Sequence, residues 1–333
     1  MASEAEVTPL KLVFLGSDPI ALPLLDWLAG EGRAFASVAA IFTQPDRAAG
    51  RGQKVTHNAI KGWALARGLP FFQPENLTDD VRAQLGSLGA DIALVMAYGH
   101  ILRDEFIATP RLGTLNLHTS LLPKYRGASP IQTAMASGER ETGVTLMRMV
   151  RKLDAGPVGA VERVEIAPLD TAAEIETKLA AAGVALLARA LPRLHDDSLT
   201  FVPQEEAAAT YCRKLEKTDG ALDFNQSATV LAARINALFP WPGCVISLGG
   251  QLLRLGLADI TSGPGTPGEV LGADDLGLLI GTVEGTLRLR RLQRPGGKLL
   301  PATEFLRGFA LPKGTRIESR PMAPLVSATP FRR

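Results

Sequence analysis

The spacing of apolar positions changes along this 333-residue chain, and the change divides it in two. Near the start, Lys11-Leu-Val-Phe-Leu15 is an almost unbroken apolar run closed by Gly16, which predicts a strand buried on both faces. Residues 19–28 carry an apolar face at helical spacing and stop at Gly30, and 37–42 form a second short apolar run. Strand, helix and strand in that order predict the opening of an α/β fold, a doubly wound and mainly parallel Rossmann-like sheet. The alternation continues with helices at 60–67 and 77–88, strands at 68–72, 91–96 and 144–149, and a helix at 172–191. From about residue 203 the texture differs. Residues 204–216 read as a linker and 228–238 as one amphipathic helix ending at Pro240-Trp-Pro-Gly243. Short runs at 244–248, 252–260, 277–282 and 286–292, parted by glycines, predict a small antiparallel, OB-like β-barrel. The expected domains are therefore 1–203 and 217–333, joined by 204–216.

Composition adds little to this division, but charge adds something. Hydrophobic residues make up 46% and charged residues 21% of the chain, ordinary for a globular protein, and the net charge is only +2. Residues 211–333 hold 16 Lys and Arg against 10 Asp and Glu, which leaves 20 against 24 in residues 1–210. A basic C-terminal part on a mildly acidic body hints at an anionic partner, and plain solubility gives the same split. In Thr286-Leu-Arg-Leu-Arg-Arg-Leu292, Leu287 and Leu289 alternate with Arg288 and Arg290, so one face is core and the other basic. That basic face is either solvated surface or a rest for phosphates.

Several classes are disfavoured. The only cysteines, Cys212 and Cys244, are too few for a zinc ribbon, and a reducing, cytoplasmic setting is expected. The acidic opening segment has no basic n-region or apolar core, and no run of 18 apolar residues predicts a membrane span. His57, His100, His118 and His195 are scattered without an H-x-x-x-H pair, so no metal site is expected. Gly16-Ser-Asp-Pro carries one glycine where a dinucleotide site carries three, which argues against a nicotinamide or flavin cofactor.

Polar residues crowd together between 114 and 157 as nowhere else. Asn116 and His118 are two apart in an apolar run, so as a strand both side chains leave one face. The chain then turns through Pro123 and Gly127 into a helix with Ser129 as N-cap and Pro130 at its first position. Leu153-Asp-Ala-Gly-Pro157 adds a carboxylate. Ser120 lacks the G-x-S-x-G elbow of a nucleophilic serine. What these groups suit is polarising a carbonyl: the Asn116 amide and an imidazole N–H can both donate to an oxygen that becomes negative. A carboxylate beside the imidazole would favour its charged form and help take a proton from an attacking amine. The loop at 43–54, Gly-rich with Arg47, Arg51 and Lys54, is long for a strand-to-helix connection. It reads as either a solvated loop or a functional one.

Asn116-Leu-His118-Thr-Ser-Leu-Leu-Pro-Lys-Tyr-Arg-Gly-Ala-Ser-Pro-Ile-Gln132, with Glu141-Thr-Gly-Val-Thr145 and Leu153-Asp154-Ala-Gly-Pro157, resembles the folate-dependent formyltransferases. The segments Phe42-Thr-Gln-Pro-Asp-Arg-Ala-Ala-Gly-Arg-Gly52 and Arg234-Ile-Asn-Ala-Leu-Phe-Pro-Trp-Pro-Gly243 are similar to the members that act on methionyl-tRNA. The resemblance spans essentially the whole chain. It implies formyl transfer from 10-formyltetrahydrofolate, without a metal, to the α-amino group of initiator methionyl-tRNA. The implied catalytic groups are Asn116, His118 and Asp154. Ser120, Leu121, Leu122 and Pro123 are implied to hold the folate, with Ala97, Tyr98 and Gly99 lining the same crevice. Arg51 is implied to read the acceptor end of the tRNA and residues 212–333 to support it; Arg47, Lys54, Arg288 and Arg290 are expected as further contacts, in a monomer that needs no membrane. Thr119 stands where many members have Gly or Ala, and Lys124-Tyr125 replace a common Arg-Trp. Two alternatives stay open: the same core acting on a small amine or water, and a tRNA- or folate-binding protein without catalysis.

Overall fold

A computed structural model describes residues 8–49, 54–248, 250–263, 265–309 and 311–331. The chain opens with β1 (Leu10–Gly16), α1 (Leu22–Ala29), β2 (Ala36–Phe42) and a small hairpin of β3 (Arg47–Ala49) and β4 (Lys54–Thr56). Then come α2 (Ala59–Ala66), β5 (Phe71–Phe72), α3 (Asp79–Ser87), β6 (Ile92–Met96), α4 (Asp104–Ile107) and β7 (Thr114–His118). After β8 (Arg126–Gly127) and α5 (Pro130–Ala136) follow β9 (Glu141–Arg148), β10 (Val158–Glu165) and the long α6 (Ala172–His195). The remainder holds β11 (Tyr211–Cys212), α7 (Ala228–Leu238), β12 (Cys244–Leu248), β13 (Gln251–Thr261) and β14 (Val270–Ala273). Last are β15 (Leu278–Gly281), β16 (Thr286–Gln293), β17 (Leu299–Pro301), α8 (Ala302–Arg307) and β18 (Val326–Ser327). Two compact units divide these elements: one takes the chain up to Pro123, Gly143–Val164 and Thr177–Ala208, the other Lys124–Thr142, Glu165–Glu176 and Ala209 onward. No helix among the described residues is long and apolar enough to cross a membrane.

The first unit is built on a sheet of order β10-β9-β7-β6-β1-β2-β5. From β5 to β7 neighbours are parallel, and β9 runs antiparallel to β7. All five residues of β6 are buried, as a central parallel strand with both faces covered requires. Helix starts follow local chemistry: the Asn58 side chain accepts from Lys61 N, and Thr78 accepts from Val81 N ahead of Asp79 and Asp80. Because β1 lies between β2 and β6, the chain leaves β1 in opposite directions on successive crossovers. A crevice therefore opens at the carboxyl ends of these strands. Several elements depart from the sequence pattern. The strand expected at 68–72 shrinks to β5 because Gly68, at φ +63°, ends α2 instead. The 43–54 loop holds β3 and the start of β4, which pair antiparallel, and β10, with Val161, Arg163 and Glu165 exposed, carries no apolar run.

The second unit carries an antiparallel sheet of order β12-β13-β16-β15-β14, with β17 on β16. Register shifts in the β13–β16 and β14–β15 pairs mark irregularities of the kind that bend a sheet. Among the described residues β12 and β14 do not pair, so this barrel-like sheet stays open on that side. Leu231, Ile235 and Leu238 of α7 share its core with Leu253, Leu255, Leu287, Leu289 and Leu292. The polar members of the 234–243 motif belong to this architecture. Buried Arg234 donates through Nε and Nη2 to the Asp219 carbonyl at 3.1 and 2.9 Å, and Asn236 exchanges two hydrogen bonds with the Ala258 backbone, beside a register shift in β13. A small sheet, β18-β11-β8, completes the unit, so 211–212, expected within a linker, is a strand.

Candidate active site

Strand β7 is buried along its whole length between β6 and β9. Its alternation sends Asn116 and His118 to one face and Leu115 and Leu117 to the other. Asn116 lies opposite Val95 of β6 and Met147 of β9, and His118 lies opposite Thr145. Both polar side chains thus sit at the carboxyl end of a central strand, where a doubly wound sheet opens its crevice. Asn116 is 9% and His118 6% exposed, so donors here act in an environment poorer in water than the surface.

Asp154 reaches the same place from the turn between β9 and β10. Its φ is +45°, a left-handed conformation for a residue with a Cβ. Gly156 makes the turn possible, because a Cβ there would stand 1.7 Å from the Arg148 carbonyl oxygen. The Asp154 carboxylate Oδ2 stands 3.8 Å from His118 Nδ1, with both side chains largely buried. This is ion-pair distance and longer than a hydrogen bond.

The segment after β7 is clamped from β9. Thr145 Oγ1 donates to the Ser120 carbonyl at 2.6 Å and accepts from Leu122 N at 3.2 Å. Gly143 clears room for Leu121, whose Cδ2 would lie 2.5 Å from a Cβ at that position. Ser120 to Pro123 is therefore held directly beyond the Asn116–His118 strand end. At the end of the neighbouring β6, Ala97 at φ +49° and Gly99 at φ +83° turn the chain. Tyr98 is fixed between them through its backbone. Its carbonyl accepts from Gln44 Nε2 at 3.2 Å, while its ring is 2% exposed in a cluster with Val13, Phe42 and Phe106. Burial pushes the Tyr98 phenol well above its ordinary range. The Tyr98 ring is therefore core, and only its main chain is left as a candidate for the crevice.

The basic residues are placed differently from one another. Arg47 pairs with Glu75 at 3.2 Å, both about two-thirds exposed. Lys54 opens β4, and Arg51 lies outside the described residues. At the foot of the hairpin, Asp46 is held by Lys61 at 2.5 Å and Gln73 at 2.7 Å, and these bonds draw its carboxyl below the usual range. On β16, Leu287 and Leu289 are fully buried as the alternation demands. Arg288 and Arg290, however, both reach Asp259, at 3.2 and 2.7 Å, and Arg288 also reaches Asp274 at 2.9 Å. The face expected to be basic is charge-compensated, because β13 and the segment after β14 supply acids that the pattern of β16 alone does not show.

Residues 10–191 match the family described as Formyl transferase, and residues 214–310 match Formyl transferase, C-terminal domain. The chain is 39% identical over 312 residues to methionyl-tRNA formyltransferase of Aromatoleum aromaticum, covering 93% of this chain and 98% of the relative. With its counterpart of the same name from Thiobacillus denitrificans the identity is 41% over 312 residues, covering 92% and 99%. This chain belongs to the formyltransferase family. The fold agrees with solved structures. A sugar 3N-formyl transferase, WlaRD, superposes with TM-score 0.63 at 17% identity, over 86% of this chain and 98% of that one. HypX from Aquifex aeolicus, in a complex with tetrahydrofolic acid, gives TM-score 0.61 at 18% identity over 94% and 51%.

The structure of this formyltransferase adds Thr145 to the site. The residue lies within the span that matches the family, yet its clamp on Ser120 and Leu122 follows from the antiparallel register of β7 and β9, which apolar periodicity does not reveal. Among the described residues no group of three or more His, Cys, Asp or Glu could hold a metal ion.

Proposed function

We propose that this protein transfers the formyl group of 10-formyltetrahydrofolate to the α-amino group of methionyl initiator tRNA. The observation that carries the chemistry is the pairing of Asn116 and His118 on one face of a buried strand end, with Asp154 3.8 Å from His118 Nδ1. Such a set suits a carbonyl that passes through a tetrahedral intermediate. The methionyl amine attacks the formyl carbon, a new N–C bond forms, and the bond to N10 of tetrahydrofolate breaks. Asn116 and His118 donate to the oxygen as it becomes negative, and one such donor is typically worth about 2.7–4 kcal/mol. Asp154 orients His118, favours its charged form and helps move the proton lost by the amine to N10. Ser120 to Pro123 and the backbone at 97–99 hold the folate.

The choice of acceptor rests on the likeness to methionyl-tRNA formyltransferases over more than nine-tenths of the chain, C-terminal domain included. A small amine or water would need neither that domain nor the arginine-bearing hairpin. Arg47, Arg51 and Lys54 are the proposed contacts to the tRNA. Arg288 and Arg290 would contribute less, since a phosphate there competes with Asp259 and Asp274. The test is direct: incubate the protein with 10-formyltetrahydrofolate and methionyl initiator tRNA and look for formylmethionine. Product on the tRNA is expected. Formate release without it, or transfer to a free amino acid at equal rate, would overturn the acceptor assignment.

A further inference from the structure

The turn that carries Asp154 is held by a segment outside the sheet. Val202 and Val158 exchange both backbone hydrogen bonds, at 2.8 and 2.9 Å, so the chain beyond residue 201 runs antiparallel to the start of β10 and on past the turn. Two residues later, Gln204 Nε2 donates to the Asp154 carbonyl and to the Gly156 carbonyl, 2.8 Å in each case. Two carbonyl acceptors fix which end of the amide faces the turn, because only its nitrogen carries protons. Farther along, Glu206 pairs with Lys152 at the turn's other end, through two exposed side chains.

The turn needs such a restraint. A left-handed conformation at a residue other than glycine is strained and persists only where the surroundings over-determine it. Asp154 has that conformation, and its carboxylate must still meet His118. An uncharged amide supplies two donors from one atom at this reach. A glutamate would set a negative charge against two carbonyls, and a methionine of similar size would offer no donor.

We propose that Gln204 is a positioning residue of the formyl transfer, fixing the Asp154 backbone so that its carboxylate addresses His118. The proposal rests on the catalytic reading of Asp154, and the experiment separates the two. Gln204→Met, Gln204→Glu, Lys152→Ala and Asp154→Asn are compared for kcat, for KM with each substrate and for Tm. Both Gln204 variants are expected to lose roughly 10- to 100-fold in kcat, the scale of a 1 Å misplacement, with each KM within about twofold of the parent. Lys152→Ala is expected to keep its kcat. Activity retained in Gln204→Met while Asp154→Asn is inactive would overturn the proposal alone. Activity retained in Asp154→Asn would overturn the reading beneath it. A lower Tm with unchanged kcat per folded molecule, or an equal loss in Lys152→Ala, would show that Gln204 only braces the fold.

Discussion

Two largely buried polar clusters in this molecule invite comparison, one around His118 and one around Asp219. Asp219 is 1% exposed on its side chain and lies in a short turn whose capping box it completes. Arg213 Nη1 donates to it at 2.9 Å, the Glu216 N–H donates at 2.7 Å, and the Asp219 carbonyl takes both bonds from Arg234. Asp154 is nearly as buried, at 12%, but sits in a left-handed turn with its imidazole partner at 3.8 Å. One aspartate closes a network of short hydrogen bonds on ordinary backbone. The other is held in a costly conformation at a distance that can still tighten. The first arrangement stabilises a fold, and the second suits a group whose interaction must strengthen during a reaction.

Substitution at the two aspartates should separate activity from stability. Asp154→Asn is expected to lower kcat by roughly 100-fold or more while Tm stays close to the parent's, as befits a group acting mainly in the transition state. A loss of Tm without loss of kcat would reverse the assignment. Asp219→Asn should do the opposite, destabilising the second unit by about 3 kcal/mol, the usual scale for breaking a buried pair. That stability depends on pH in a defined direction. Burial alone would raise the Asp219 carboxyl, but Arg213 and the Glu216 N–H hold it below the usual range. A depressed carboxyl contributes stability above its unfolded pKa of about 3.9 and loses it as pH falls through the lower folded value. The Tm of the parent should therefore fall more steeply than that of Asp219→Asn as the pH is taken below 4. Parallel curves would remove Asp219 from the stability account.

Thr145→Val sharpens the comparison on a smaller scale. It keeps the shape of a fully buried side chain but leaves the Ser120 carbonyl and Leu122 N–H without the hydroxyl. Such a loss costs about 1–3 kcal/mol, felt in the segment proposed to hold the folate. A several-fold rise in KM for the folate with kcat little changed is expected. An unchanged KM would mean that the clamp serves the sheet and not the pocket.

Sequence and structure agree where one strand or helix decides the matter by itself. The runs of β1, β6 and β7 announce buried parallel strands, and the spacing of Asn116 and His118 puts them on one face without knowledge of neighbours. What stayed hidden depends on pairing. Thr145 gains its role from its register with β7, Gln204 from a segment that read as a linker, and the compensation of Arg288 and Arg290 from Asp259 on the next strand. Strand β10 carries no apolar run because Glu162, Arg163 and Glu165 interrupt its apolar positions. Asp154 itself was visible as a carboxylate, but its left-handed backbone emerges only from the closeness of Gly156 to Arg148.

The side-chain amide of Asn116 at the strand end is the proposed donor to the oxyanion of formyl transfer. Single-turnover formylation of methionyl-tRNA by Asn116→Ala, at saturating folate and alongside a Tm measurement, addresses it most directly. A rate lower by roughly 100- to 1,000-fold at unchanged Tm is predicted, the cost of one lost oxyanion donor. A rate within about twofold of the parent's would mean that Asn116 is not an oxyanion donor.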